Sequence, residues 1–489
     1  MKFLAFLIAL TLVGSDGFAQ QPRADLVILG GTVWSGTSKE PITADIAVAG
    51  NKIAAIGEQT SIKKWIGAET KIIDAKGKLV LPGFNDSHVH FMAIGNTFST
   101  LDLSGISSAD ELYSRFRYHA QFVPKGRWIL GSGGTDALWR DVSASGLDSS
   151  SPDNPVFLYH ADAGSALTNS NALKLARSNS TVAGVVRGRE FEIVRRAVPP
   201  DHSRNWAEIA ETASNYAASL GVTSVQDMHS DAMADVYRKL DGEGRLKTRV
   251  YDCFSLPEQV RTKAVFIKSE PEAMVRTGCL KGFHDGDDEW TPKLRSDIMA
   301  ADKAGWQVAI HAIGEKPNRI ALDIFEEAVK LNGRRDRRFR LEHAEGVSDA
   351  DLARLGKLGV IASIQPYLFG DGHGYLNGYY ARILQTGGRL AIGSDAPMTS
   401  FDPLLGLSRE LRNDAGLSLA DSLAGYSTGS AFAEFAEKKK GTLSLGKLAD
   451  IVILSQNIFV SYIRPADSVK VDFTIVNGEI VFERRGKSK

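Results

Sequence analysis

Short apolar runs separated by turn residues open the chain. Between Asp25 and Ile73 they include Leu26-Val27-Ile28-Leu29, Ile46-Ala47-Val48 and Ile53-Ala54-Ala55-Ile56, the last two joined across Gly50-Asn51. Gly and Asn accept the positive φ that a two-residue hairpin turn requires, so this pair predicts a β-hairpin. The last fifty residues follow the same pattern, with Ile451-Val452-Ile453-Leu454 and then Phe473-Thr474-Ile475-Val476 turning at Asn477-Gly478 into Glu479-Ile480-Val481-Phe482. Neither set has enough strands to bury an apolar face alone. The expectation is one small β-sandwich domain built from both termini, 20–78 and 440–489.

Between the ends the pattern alternates strand and helix. Eight apolar runs stand out, at Val80 to Phe84, Val222 to Val225, Arg249 to Phe254, Cys279 to Phe283, Val308 to Ile313, Phe339 to Glu342, Val360 to Ile364 and Leu390 to Ile392. Helical spacing separates several of them, as in Trp206, Ile209, Ala213, Ala217 and Leu220 before Gly221, and Ile320, Ile324 and Ala328 ahead of Gly333. The pattern predicts an α/β fold, a (β/α)8 TIM barrel over 79–439. The interval 91–205 is too long for one crossover. With a capping-box signal at Ser108 and Glu111 and strand-like runs at Trp128 to Leu130 and Val156 to Tyr159, it reads as an insertion after barrel strand 1, an inserted lid or substrate segment over the catalytic face.

Composition narrows the class. The 489 residues carry 58 Lys+Arg against 58 Asp+Glu, so nothing argues for a nucleic-acid partner, and 43% apolar residues suffice for a sizeable core. Lys2, an apolar stretch from Phe3 to Val13 and the small residues Gly17 and Ala19 predict a signal peptide over 1–19, cut before Gln20, hence an exported protein, periplasmic or secreted, with no membrane span after signal removal. Two cysteines, Cys253 and Cys279, exclude a disulfide-rich scaffold and a Cys-only zinc site.

The chemistry concentrates at strand ends. In Asp86-Ser87-His88-Val89-His90, residues i and i+2 of a strand share a side, so His88 and His90 present two imidazoles to one point. Alone the pair is equally compatible with two polar residues closing a strand. His311, His343 and Asp395 each end another predicted barrel strand, and in a closed barrel those ends converge on one mouth. Lys281 lies within the fourth apolar run. Burial lowers its pKa and leaves an amine able to take up CO2, giving an anionic oxygen donor, whereas a snorkelling Lys or a salt-bridged one, for instance with Asp285, is the alternative. Oxygen and imidazole ligands together suit Zn or a similar divalent ion.

These residues resemble a known family. Pro82-Gly83-Phe84-x-Asp86-x-His88-x-His90, Lys281 with Asp285-Gly286, His311-Ala312-Ile313-Gly314, Glu342-His343-Ala344, Gly393-Ser394-Asp395-Ala396-Pro397 and Gly446-Lys447-x-Ala449-Asp450 look like the amidohydrolase superfamily, in its YtcJ-like branch, which includes N-substituted formamide deformylase. The resemblance runs from about Asp25 to Phe482. It implies a distorted TIM barrel and two divalent metal ions, Zn first among the candidates. His88 and His90 would ligate the buried metal, carboxylated Lys281 would bridge, and His311 with His343 would ligate the exposed metal. Asp395 would be both ligand and proton acceptor as metal-activated hydroxide attacks the carbonyl.

Two departures bear on substrate. After Asp285-Gly286 only Asp287-Asp288-Glu289 precedes the next helix, where the branch carries a long loop. The segment from Asp162 to Ser170 also lacks the branch's histidine. Gln365 at the end of the seventh run, Asp162, Trp139 near the glycines 131–134, and His229 are candidate substrate contacts. The leading expectation is a hydrolase of a C–N bond in a small molecule: amide, formamide or cyclic amide. A deaminase, an ester or phosphoester hydrolase, and a non-catalytic exported binding protein are the alternatives, and homo-oligomer formation is left open.

Overall fold

The computed structural model describes residues 23–484 apart from 99, 104, 134–135, 161–164, 179–183, 200–204, 229–232, 264–265, 267–268, 367–377, 413–415 and 461–467. The expected signal peptide, Asp162 and His229 therefore lie outside the described residues.

Eight parallel strands form the centre: β1 (Phe84–Val89), β2 (Val222–Met228), β3 (Arg249–Ser255), β4 (Val275–Phe283), β5 (Gln307–Ile313), β6 (Arg340–Glu345), β7 (Ile361–Ile364) and β8 (Arg389–Ile392). They are hydrogen-bonded in chain order from β1 to β8. Just past β8 the Asp395 amide donates to the His88 carbonyl at 2.7 Å, and the His90 amide donates to the Ala396 carbonyl at 2.9 Å. Those two bonds draw the last strand onto the first at the C-terminal mouth. The strands read as unbroken apolar runs because both faces are covered, the outer one by helices such as Trp206–Ser219 and Glu315–Asn332.

The first predicted strand is two elements. Leu79–Pro82 belongs to a different sheet, and the barrel begins at Phe84. Gly83 is the crossing point: a Cβ there would stand 2.1 Å from the Thr223 side chain, so only glycine fits where the chain passes from one sheet to the other.

Both ends of the chain share that second sheet. Its order is Glu479–Glu483, Val471–Val476, Ile451–Leu454, Leu79–Pro82, Leu26–Val33, Ile42–Ala49 and Lys52–Gly57, with Lys71–Asp74 branching from Leu26–Val33. The seam is the antiparallel pairing of Leu79–Pro82 with Ile451–Leu454. The hairpins expected at Gly50-Asn51 and Asn477-Gly478 are present, and the two turns touch, with Asn51 Nδ2 donating to Asn477 Oδ1 at 3.2 Å.

After β1 the chain forms a separate five-stranded sheet, in the order Gly184–Arg187, Ser165–Thr168, Val156–Tyr159, Ile129–Ser132, Thr100–Asp102. Its first long helix, Ala109–Ala120, is capped by Ser108, whose hydroxyl accepts from the Glu111 amide, while the Glu111 carboxylate returns to the Ser107 amide instead of to Ser108. Cys253 and Cys279, register partners on β3 and β4, form a disulfide inside the barrel. Among the described residues no helix is long and apolar enough to cross a membrane.

Candidate metal centre at the barrel mouth

Strand alternation places the first members. On β4, Cys279 and Lys281 share the barrel's inner side; on β5, Ala309 and His311 do the same, with Ala309 and Cys279 in one inner cluster. His343 needs more. Arg340 and Glu342 of β6 face the interior and Leu341 packs on the outside, so plain alternation would send His343 outward with Leu341. It does not go there, because the register slips against β5 and His343 and Ala344 adopt φ of 72° and 50°. Such a bulge re-aims a side chain. Asp395, with φ 60°, is turned in the same way beyond β8.

His88, His343 and Asp395 each offer one ligand atom, and these atoms lie within 4.8 Å of one another. His90 joins through Nε2, 3.3 Å from Asp395 Oδ1, and His88 Nε2 is 3.4 Å from the same oxygen. Lys281 Nζ is 3.4 Å from His88 Nε2, and the residue is 1% exposed. No carboxylate lies in ion-pair range of Lys281 among the described residues; Asp285 instead faces His311, at 3.5 Å from Nε2. A Lys281–Asp285 salt bridge, one of the alternatives open from sequence, is therefore not formed. The His311 and His343 rings are 4.4 Å apart between centroids, which brings the sixth predicted residue to the same cluster.

The electrostatics favour ligation. Burial, then the Lys281 charge, pushes His88 well below its usual value and His343 down to about 4, and His311 is lowered for the same two reasons. Burial also draws Lys281 down to about 8, against the pull of Glu342 and Asp395. For Asp395 burial acts upward, but the His90 hydrogen bond with the His88 and His343 charges outweighs it and holds the carboxyl below its ordinary value. Neutral imidazoles and an ionised carboxylate are the forms a divalent cation needs. His343 Nδ1 is buried without a hydrogen-bond partner. The residues present thus fit a metal centre.

Three supporting residues give no sign of their role in the sequence. Glu342 Oε2 accepts from His88 Nδ1 at 2.6 Å, leaving Nε2 with its lone pair toward the cluster, and the same carboxylate is held by buried Arg340. Asp86 accepts from the amides of His88 and Ser394, tying β1 to the end of β8, and burial raises it to about 7. Glu345, two residues past His343, is raised to about 7 by burial and then by Asp395. A residue's side-chain partner across a barrel has no signature in sequence spacing.

The substrate candidates fare differently. Gln365 is buried at the end of β7, its amide donating to the Ser363 carbonyl at 3.3 Å and its Oε1 unpartnered. Trp139 is not on the barrel: it packs in the core of the insertion, its indole N–H donating to the Gly133 carbonyl. Its apolar ring is satisfied there.

With that geometry in place, the amidohydrolase family model matches residues 71–482. The chain belongs to the amidohydrolase family. Among its relatives are the protein LONG AFTER FAR-RED 3 of Arabidopsis thaliana (31% identical over 94% of this chain and 92% of that one), the putative amidohydrolase YtcJ of Bacillus subtilis (25%, 93% and 99%) and the N-substituted formamide deformylase of Arthrobacter pascens (24%, 94% and 99%). A metal-dependent hydrolase from Pyrococcus furiosus superposes with a TM-score of 0.58 at 25% identity, covering 88% of this chain and 99% of that one. Within the amidohydrolases this chain is YtcJ-like, a hydrolase acting on carbon–nitrogen bonds of small molecules.

Proposed function

We propose that the chain is an exported, metal-dependent amidohydrolase that cleaves an amide, formamide or cyclic amide, with His88, His90, Lys281, His311, His343 and Asp395 holding two divalent ions, Zn first among the candidates. The observation that carries the reading is the convergence of His88, His343 and Asp395 at one point, with His90, Lys281 and His311 against them. Carboxylation of Lys281 by CO2 is part of the proposal, supported by its burial and by the lack of an ion-pair partner among the described residues. The likeness to a formamide deformylase supports the bond type, and the likeness to a metal-dependent hydrolase of Pyrococcus supports the metal.

Bound divalent ions supply Lewis acidity, polarising the scissile carbonyl and acidifying water. The chain's own residues do the rest. Glu342 fixes His88 in the tautomer that ligates through Nε2. Asp395, held ionised, accepts a proton from the attacking water at its carboxylate and returns it to the departing nitrogen. Gln365 offers a buried amide at the end of β7 to orient the substrate. The acid a deaminase reading would want after β5, Glu315, opens the helix Glu315–Asn332 and pairs with Arg319, which disfavours that alternative. Export is supported by the Cys253–Cys279 disulfide, since disulfides persist in oxidising compartments.

The test is metal analysis of protein purified without chelator, combined with assays on N-formyl, N-acyl and cyclic imide substrates. Expected are about two ions per chain, hydrolysis lost on chelation and restored by Zn or Mn, and a turnover reduced roughly 10²–10⁴-fold in Asp395→Asn. Full activity of metal-free protein refutes the reading.

A further inference from the structure

The opposite end of the barrel holds a cavity of about 410 Å³ at the N-terminal feet of β3, β4 and β5. Tyr251, Arg276 and Gln307 come from those strand starts, and the segment 435–439 closes the other side. One layer of inward side chains, including the Cys253–Cys279 disulfide and Ala309, lies between this cavity and Lys281. It is therefore a site apart from the metal cluster.

Its wall combines flat apolar surface with excess positive charge. The rings of Tyr251, Phe266 and Phe435 supply the first. Five cations, Arg276, Arg335, Arg338, Lys438 and Lys439, face two carboxylates, Asp336 and Glu437. Beyond the wall Arg335, Arg276 and Lys439 pair with Asp302, Glu434 and Glu272, and each of these carboxylates is shared with a further cation, Arg337, Lys440 or Lys52, so the whole network counts eight cations and five carboxylates. The excess is three both for the wall alone and for the complete ion-pair network, because the outer carboxylates are shared with cations of their own.

One donor is left over where it costs most. Arg276 is 7% exposed; its two Nη groups donate to the Glu434 carboxylate and carbonyl, but its Nε is buried with no hydrogen-bond partner. A buried donor without a partner is costly and calls for an acceptor. The guanidinium carbon also lies over the Tyr251 ring, 5.1 Å from its centroid, and that of Arg338 lies over the Phe435 ring at 4.3 Å, so cations and aromatic rings of the wall are in direct contact. A cavity of this size and lining suits one small organic molecule.

We propose that this pocket binds a small aromatic carboxylate, its ring against Tyr251, Phe266 and Phe435 and its anionic group toward Arg276 and Lys438. The metal centre takes no part in holding it. The probe is 2-naphthoate, titrated calorimetrically into the full-length protein as purified, with 2-naphthalenemethanol as the uncharged comparator and inorganic phosphate as the ringless one. Arg276 is tied to buried Glu434, so the variants used are Lys438→Glu, which reverses one exposed charge of the wall, and Phe266→Ala, which removes one ring and no charge. Expected are one naphthoate per chain with millimolar or tighter affinity, a roughly tenfold loss in each variant, and unchanged affinity in His311→Ala. Equal binding of the alcohol overturns the anionic requirement, and equal binding of phosphate overturns the aromatic one. Unchanged affinity in both wall variants, loss of binding in His311→Ala, or no binding of naphthoate each overturns the site. None of these outcomes depends on hydrolysis, so the pocket stands or falls separately from the reaction proposed above.

Discussion

Single residues at the mouth act through protons as much as through position. Glu342 is the clearest case: its carboxylate accepts from His88 Nδ1 and so decides which ring nitrogen faces the cluster. Glu342→Gln keeps the size but puts an amide where a pure acceptor stood, and metal affinity is expected to fall roughly 10–100-fold, read by competition with a chromophoric chelator. His343 gives a pH signature. Folded, its pKa is about 4 and in the unfolded chain it returns to about 6.5, so the unfolded state binds the extra proton between those values. The contribution of neutral His343 is whole above pH 6.5 and is lost as pH falls toward 4. In metal-depleted protein, the stability of the parent relative to His343→Asn should therefore drop by about 2 kcal/mol from pH 7 to pH 5, in paired denaturant titrations. Comparing against the variant cancels the buried carboxyls that titrate the other way. At this scale His88, His90, His311, His343 and Asp395 were legible as a set because strand ends meet in any closed barrel. Glu342 and Asp86 were legible only as letters in a motif, since their work depends on partners more than two hundred residues away.

At the level of elements, the closure between β1 and the end of β8 positions half the cluster. Gly393 makes it possible: a Cβ there would stand 2.4 Å from the His88 amide nitrogen and 2.8 Å from Asp86 Oδ1. Gly393→Ala should wedge the two strands apart, costing about 1–3 kcal/mol in denaturant unfolding and displacing His88 and Asp395 together, so metal content falls with stability. Eight strands were readable from apolar runs, but their ends were not. The run from Val80 to Phe84 is continuous in hydrophobicity, yet Gly83 divides it between two sheets because Thr223 leaves no room for a side chain. The inward turn of His343 was likewise hidden, for a bulge inverts the alternation on which any strand reading relies. Cys253 and Cys279 showed no sign of pairing in the sequence, since only the parallel register of β3 and β4 sets them face to face.

Across the whole molecule, a buried ion pair joins the sheet shared by both ends to the barrel, beside the apolar core that they share. Arg249, at the foot of β3, gives Nε to Asp450 Oδ2 at 2.7 Å and Nη2 to both Asp450 Oδ1 and the Asn477 side chain. Asp450 also receives the Asn477 amide that shapes the neighbouring turn. Removing the carboxylate strands a buried guanidinium, so Asp450→Ala is expected to cost about 3–5 kcal/mol, measured as the loss in unfolding free energy, even though the cluster of His88, His343 and Asp395 lies at the other end of the barrel. The seam between Leu79–Pro82 and Ile451–Leu454 has a further consequence in time. A ribosome releases the first of these strands about 370 residues before its partner exists, at roughly 5–20 residues per second. For that whole interval the strand has an open edge, and the seam cannot close until Ile451–Leu454 has been made. A chain built this way carries an unpaired strand edge through the interval between the two strands, which penalises it at high concentration before that partner arrives.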